Sequence, residues 1–164
     1  MKQKRDNVYK SGHEDYNHLD TMRHSAAHLL AYAVMELWPK TKLGIGPTTE
    51  NGFYYDFELP VKLSDSDLPK IEAKMRELQK LGFGFERSVL GIDEAMKRLT
   101  KQHQSLKVEL LHDLQKEGET EVSFYQSGDF IDLCKGPHVN NISEIGAFKL
   151  LSVAGAYWKG SEKN

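Results

Sequence analysis

The spacing of apolar residues predicts a chain that alternates helices with short strands. From about Thr21 to Trp38 the apolar positions fall on one helical face, with Asp20 as the expected N-cap and Pro39 ending the helix. This face consists of Ala26, Leu29, Leu30, Ala33, Val34 and Leu37. An amphipathic helix that follows a polar lead-in is therefore the first predicted element.

Three more helices are predicted farther along the chain. The second ends at Gly82, a residue suited to a helix C-terminus. Its apolar positions at helical spacing are Leu68, Ile71, Met75 and Leu78. The third helix begins at Asp93, its expected N-cap, and the fourth runs from near Ser105 to Gly118.

Short strands are predicted between and after these helices. They cover residues 53–57, 83–89, 122–125, 130–133 and 148–154. The segment from Gly44 to Pro47 is rich in turn residues, and residues 126–129 form a turn between two strands. This order of elements predicts an α+β fold in which a partly antiparallel sheet is packed with helices.

Composition and charge narrow the class of protein. Of the 164 residues, 39% are hydrophobic and 28% are charged, which is typical of a globular domain. The formal net charge of −2 argues against binding nucleic acid mainly through phosphate neutralisation, but allows contact with a short nucleic-acid end. Cys134 is the single cysteine, so no internal disulfide is possible, and we expect a reducing cytoplasmic setting. No apolar run approaches the ~20 residues that span a bilayer.

Two pairs of side chains are candidates for a metal-binding or catalytic site. His24 and His28 lie four residues apart on the first predicted helix and project from one face. Cys134 and His138 have the same spacing where a predicted strand meets a Gly-Pro turn. Together they are a plausible four-ligand set for zinc. The helix face around the two histidines carries small or apolar residues, which indicates that something packs or binds there: Ala27, Ala31 and Met35.

Other interpretations of these residues stay open at this point. A helical histidine pair more often lies on the solvent-exposed surface, and a lone cysteine more often behaves as a small buried apolar residue. A nucleophilic Cys134 beside His138 is possible in principle. No Glu follows His24, which excludes the metalloprotease helix, and no glycine-rich phosphate loop supports nucleotide binding. The remaining histidines are expected on the surface: His13, His18, His103 and His112.

Four segments occur in an order that makes the chain recognisable. They are TMRHSAAHLL at 21–30, IGP with NGFYYD between 45 and 56, DLCKGPHV at 132–139, and FKLLSVAGAYW at 148–158. These segments resemble the signatures of the editing domain of threonyl-tRNA synthetases over residues 20 to 160. The two spaced pairs are also shared with alanyl-tRNA synthetase editing domains, while the third and fourth segments favour the threonyl branch.

The resemblance implies hydrolysis of serine wrongly attached to threonine tRNA. A synthetase pocket built for threonine discriminates against the smaller serine by only about 1–3 kcal/mol, so a second pocket must remove the error. The resemblance also implies site residues. The pocket walls would be His24, His28, Cys134 and His138, and the further functional residues would be Lys107, Asp132 and Tyr55.

The resemblance gives several of these residues a role. His24 is expected to hold or deprotonate the attacking water, and Lys107 to orient that water or stabilise charge. Asp132 is expected to engage the amino group or hydroxyl of the substrate, while Tyr55 helps to shape the pocket. No metal is expected to be required, because the threonyl branch is metal-free. Zinc at His24, His28, Cys134 and His138, as in the alanyl relatives, is the alternative.

The expected organisation is a lead-in at 1–19, the editing domain at 20–160, and a tail at 161–164 that begins a linker to a catalytic core. A free-standing editing protein is the alternative to such a fragment. That core would use ATP and zinc, so this chain alone is not expected to aminoacylate. The expected partner is the serine-bearing 3′ end of threonine tRNA, with no membrane. The parent family is homodimeric, and we expect a monomer here. The alternatives are a zinc-dependent alanyl-type deacylase and a noncatalytic module that binds the tRNA 3′ end.

Overall fold

The computed structural model describes residues 18–155, over which the chain forms four α-helices and two small antiparallel sheets. The helices are α1 (His18–Leu37), α2 (Leu68–Leu81), α3 (Ile92–Lys101) and α4 (Ser105–Lys116). The strands are β1 (Lys42–Leu43), β2 (Phe57–Glu58), β3 (Glu86–Gly91), β4 (Glu121–Ser127) and β5 (Phe130–Leu133). The predicted α+β class is confirmed. None of the helices within 18–155 has the length and apolar character needed to cross a membrane.

Helix α1 is the central helix of the fold. Every residue from 24 to 34 is buried, so the predicted apolar face and the face that carries the two histidines are both covered by protein. The helix already includes His18, which places Asp20 in its first turn. The prediction of Asp20 as N-cap is therefore wrong, although a carboxylate there still suits the positive end of the helix dipole.

The second sheet positions the end of β5. Its strand order is β3-β4-β5, and the register pairs Tyr125 with Asp132. A two-residue turn at Gly128 and Asp129 joins β4 to β5, so the predicted hairpin is confirmed with a shorter turn. The backbone N–H of Cys134 donates to the carbonyl of Ser123 (3.0 Å), which extends this pairing one residue beyond β5. The chain therefore leaves the sheet in a fixed direction at Cys134.

Several predicted boundaries differ from the structure. Asp93 lies in the first turn of α3, and Gly91 is the N-cap, because the strand β3 runs directly into the helix. In the predicted strand 53–57, only Phe57 pairs within β2, whereas Phe53 makes one isolated bridge to Thr48. The predicted strand 148–154 is wrong, because these residues form no strand ladder. Side chains hold that segment instead.

Two apolar clusters fill the interior. One surrounds α1 and α2 and includes Leu29 and Met75; the other lies between α3, α4 and the β3-β4-β5 sheet and includes Leu111 and Phe124. Helix α1 belongs to the first cluster, and α4 and the end of β5 belong to the second. Polar side chains at the junction therefore approach one another from separately packed elements.

Glu72 on α2 holds the segment after the last turn. Its carboxylate accepts the backbone N–H of Leu150 (2.6 Å) and lies 3.3 Å from Arg76 and 3.4 Å from Lys149. The N–H of Leu150 and the two cations lower the pKa of Glu72 below its usual value of 4.5, although burial opposes the shift. Asp65 accepts the N–H of Val153 in the same way (2.8 Å).

We predict that Glu72→Gln destabilises the fold at neutral pH and has no such effect in acid. The lowered pKa means that the carboxylate stabilises the folded state above pH 4.5, and that this contribution is lost as the pH falls through the lower folded value. The free energy of unfolding should drop by about 1 kcal/mol at pH 7. Urea unfolding at pH 7 and pH 3 measures the difference.

Glu77→Gln is the matched control, because Glu77 is an exposed glutamate on the same helix whose contact is the surface pair with Lys74. It should change stability little at either pH. A Glu72→Gln deficit of equal size at pH 7 and pH 3 would contradict this account of the carboxylate.

Candidate functional site

All seven predicted site residues lie in the described part of the chain, and the structure brings them around one small cavity. Two come from α1, one from α4, one from the loop between β1 and β2, one from β5 and two from the segment after β5. The cavity is lined by His24, His28, Gly46, Tyr55, Lys107, Asp132, Leu133, Cys134 and His138. The cavity volume within which the centre of a water molecule can lie is about 10 Å³, so the cavity has room for about one water.

The thiol of Cys134 lies between two imidazoles. Its Sγ is 3.2 Å from Nε2 of His24 and 3.3 Å from Nε2 of His138, and it accepts the backbone N–H of Gly136 (3.3 Å). The two rings stack with centroids 4.6 Å apart. Gly136 has φ 77°, and a Cβ there would overlap the hydroxyl of Tyr125, so glycine is required where the chain turns around the thiol.

The carbonyl of Pro137 orients His24. This oxygen lies 3.4 Å from Nδ1 of the ring, and a carbonyl can only accept, so Nδ1 carries the hydrogen. Nε2 therefore presents its lone pair towards the cavity and the thiol. A neutral imidazole in this state can accept a proton from a group placed near Nε2.

His28 differs from the other two histidines of the site. Both of its ring nitrogens are buried and have no hydrogen-bond partner. The ring packs edge-on against Phe85 and Phe130, with centroid distances of 4.9 Å and 4.8 Å. His28 therefore forms an apolar wall of the pocket rather than a polar contact.

A buried ion pair lines the same cavity as the thiol. Nζ of Lys107, a residue that is 1% exposed, is 3.2 Å from Oδ1 of Asp132. The hydroxyl of Tyr55 donates to Oδ2 of the same carboxylate (2.6 Å), and the ammonium lies 5.5 Å from the centroid of the Tyr55 ring. Both oxygens of Asp132 are thus engaged. A Cβ at Gly46 would overlap the Tyr55 ring, so glycine lets this ring lie over the cavity.

Burial sets the charge state of the cluster. It lowers the pKa of His24 to about 4 and that of His28 to about 3, and it lowers the pKa of His138 well below 6.5. It raises the pKa of the Cys134 thiol to about 12. At neutral pH the imidazoles and the thiol are therefore uncharged. Burial also lowers the pKa of Lys107, and the carboxylate of Asp132 opposes that shift by stabilising the ammonium. A protonated thiol is a poor nucleophile, which argues against covalent catalysis by Cys134.

The candidate zinc ligands fit a metal only in part. Ligand atoms of His24, Cys134 and His138 lie within 4.8 Å of one another, and His28 does not join this group. Tetrahedral zinc holds nitrogen and sulfur ligands about 3.3–3.6 Å apart, close to the two thiol–imidazole distances. The geometry thus fits three ligands and one open position rather than the predicted four.

The predictions for single residues have mixed outcomes. His18, His103 and His112 are exposed as expected, and His13 lies outside the described residues. Ser25, which sequence reasoning did not single out, makes polar contacts to the segment that carries His138. Its position between two candidate histidines was the available signal.

We predict that Lys107→Met destabilises the fold by about 3–5 kcal/mol, because it leaves the carboxylate of Asp132 buried without its cation. The double variant Lys107→Met/Asp132→Asn should lose less, since no uncompensated charge remains. Lys74→Met, which breaks a surface pair with Glu77, is the control and should cost under about 1 kcal/mol. Urea unfolding measures all three. A double variant less stable than Lys107→Met would contradict the assignment.

The second half of this site matches a known domain model. Residues 122–164 match the model described as the threonyl and alanyl tRNA synthetase second additional domain. The matched range contains four residues that line the cavity: Asp132, Leu133, Cys134 and His138.

Similar proteins extend the match over most of the chain. A threonine–tRNA ligase of Dehalococcoides mccartyi is 52% identical over 145 residues, which cover 88% of this chain and 24% of the relative. Those of Acetivibrio thermocellus and Carboxydothermus hydrogenoformans are 50% and 52% identical over 151 residues, 92% of this chain and 24% of each relative. The chain thus spans about a quarter of the length of these relatives. The chain is thus similar to threonine–tRNA ligases over most of its length, and its C-terminal part matches a domain described for threonyl and alanyl tRNA synthetases.

Proposed function

We propose that this chain hydrolyses the ester that links serine to the 3′ end of threonine tRNA. The observation that carries the proposal is the cavity itself, because uncharged imidazoles and a buried ammonium–carboxylate pair line the same space, which has room for about one water. Ester hydrolysis needs a proton acceptor near the water and a positive group near the developing oxyanion. The similarity to threonine–tRNA ligases supports the choice of substrate.

In the proposed reaction, a water in the cavity attacks the ester carbonyl carbon. Nε2 of His24 takes a proton from the water, and the ammonium of Lys107 stabilises the negative charge that forms on the carbonyl oxygen. Collapse of the tetrahedral intermediate breaks the bond to the ribose oxygen, which receives the proton from His24. Serine and tRNA with a free 3′ end are the products.

The amino group of the substrate is assigned to Asp132. Because both carboxylate oxygens are already engaged, an incoming ammonium must displace one partner, and we assign that place to the hydroxyl of Tyr55. Lys107 then stays on Oδ1 with its charge directed towards the reacting carbonyl.

The narrow cavity favours serine over threonine in this proposal. The extra methyl of threonine would have to fit among walls formed by Leu133, the ring of Tyr55 and the backbone at Gly46. One methyl group in a tight pocket changes the relative rates by roughly 10–200-fold. An aminoacylation site for threonine also accepts serine, which lacks the methyl. This pocket would instead exclude the amino acid that carries the methyl.

The proposed hydrolysis requires no metal, because His24 and Lys107 supply the base and the positive charge. A zinc-dependent alanyl-type deacylase is the second candidate, favoured by the cluster of His24, Cys134 and His138. These three residues would hold the ion, and a bound zinc would lower the pKa of a coordinated water. With a net charge of −2, the chain is expected to bind tRNA weakly by itself.

We predict that His24→Ala lowers the rate of seryl-tRNA(Thr) deacylation by about 10²–10⁴-fold, because the base is lost. The measurement follows release of labelled serine at neutral pH. Threonyl-tRNA(Thr) should be hydrolysed at least about tenfold more slowly than the seryl ester by the unmodified chain. His112→Ala, which alters an exposed histidine on α4, is the matched control and should keep the full rate.

The same assay is repeated with a chelator and then with added zinc. Unchanged activity is expected, whereas loss with the chelator and recovery with zinc would overturn the metal-free mechanism. If the unmodified chain binds tRNA but hydrolyses neither ester faster than buffer, it is a noncatalytic module that binds the tRNA 3′ end, and the proposed function is wrong.

A further inference from the structure

Ser25 links helix α1 to the segment that carries His138. Its Oγ lies 2.8 Å from the carbonyl oxygen of Thr21, 3.0 Å from the backbone nitrogen of Val139 and 3.1 Å from Nδ1 of His138. The side chain is fully buried. A hydroxyl has one hydrogen and two lone pairs, so these three contacts use its complete hydrogen-bonding capacity.

The direction of each bond follows from its partner. The Thr21 carbonyl can only accept and the Val139 N–H can only donate, so the hydroxyl of Ser25 gives its hydrogen to Thr21. The remaining lone pair of Oγ must then accept a hydrogen from Nδ1 of His138. The reverse arrangement would aim the hydroxyl hydrogen at the ring and leave two oxygens 2.8 Å apart with no hydrogen between them.

We propose that Ser25 is a positioning residue that fixes His138 as the tautomer with hydrogen on Nδ1. The lone pair of Nε2 then faces Sγ of Cys134 at 3.3 Å and accepts the thiol hydrogen. Pro137 fixes His24 in the same tautomer, so two Nε2 lone pairs converge on a thiol that has one hydrogen.

The catalytic consequence rests on the proposed function. If His138 takes the thiol hydrogen, that hydrogen does not compete for Nε2 of His24, the base in the proposed hydrolysis. Ser25 touches no reacting atom in this scheme and acts through His138. Partners that orient metal-bound histidines contribute about 10–100-fold to affinity or activity, and we expect an effect of that order for Ser25.

The tautomer is measured by nitrogen-15 NMR of the histidine rings, because protonated and lone-pair nitrogens resonate in well-separated ranges. The signals of His138 are identified by their loss in His138→Asn. The unmodified chain should show hydrogen on Nδ1 of His138 at neutral pH. Hydrogen on Nε2 would overturn the proposal without any variant of Ser25.

Ser25→Ala should shift His138 towards the tautomer with hydrogen on Nε2, whereas Ser25→Thr should restore Nδ1–H, since a threonine hydroxyl in a helix also bonds the carbonyl four residues earlier. An unchanged tautomer in Ser25→Ala would overturn the assignment.

Activity tests the link to catalysis separately. The kcat for seryl-tRNA(Thr) should fall by about tenfold or more in Ser25→Ala, with KM little changed, and should recover in Ser25→Thr. A full kcat in a Ser25→Ala variant with the altered tautomer would overturn the positioning role. If the unmodified chain lacks deacylase activity, the proposed function fails while the NMR result still decides the tautomer.

Discussion

Lys107 and Asp132 bury opposite charges 3.2 Å apart, between α4 and the end of β5. Removing two charges from water costs several kcal/mol for each ion, and the attraction between them offsets that cost only with further hydrogen bonds. The hydroxyl of Tyr55 provides one to Asp132 and thereby holds the loop between β1 and β2 over the cavity. A buried pair of this kind adds little net stability, so its presence beside a cavity indicates a role in binding or chemistry.

The imidazoles and the thiol complete the pocket with groups that burial keeps neutral. Lone pairs and hydrogens in this cluster are directed by backbone carbonyls and by the hydroxyl of one serine, rather than by charge. The carbonyl of Pro137 fixes the tautomer of His24, and the hydroxyl of Ser25 fixes the tautomer of His138. The short segment after β5 therefore serves both the fold and the proposed site. Gly136 permits its turn around Cys134.

Sequence reasoning predicted the helices and the β4-β5 hairpin well, because apolar periodicity reports which faces are covered. It placed His24 and His28 on one helix face. The same four-residue spacing of Cys134 and His138 made them candidates for the same site. Spacing alone would not have chosen Lys107 or Asp132, since isolated charges are usually solvated; the family resemblance identified them. The segment 148–154 has the composition of a strand, but Glu72 and Asp65 hold its backbone through long-range contacts that no local pattern reveals.

The exclusion of His28 from the possible metal ligands also depends on tertiary packing. Helical spacing shows that two histidines share a face, but not that Phe85 and Phe130 enclose one of them. The roles of Gly46 and Gly136 are similar, because each is required by a ring from a distant part of the chain. Such constraints are visible only when the elements are assembled.

The central claim is that the buried carboxylate of Asp132 binds the amino group of a serine ester, in a pocket whose walls are too narrow for threonine. Calorimetric binding of adenosine carrying serine through a non-hydrolysable 3′-amide tests it most directly. The account predicts that the seryl amide binds, that the threonyl amide binds at least about tenfold more weakly, and that Asp132→Asn weakens the binding of both amides by removing the ammonium site. Equal binding of the two amides, or full binding by Asp132→Asn, would contradict it.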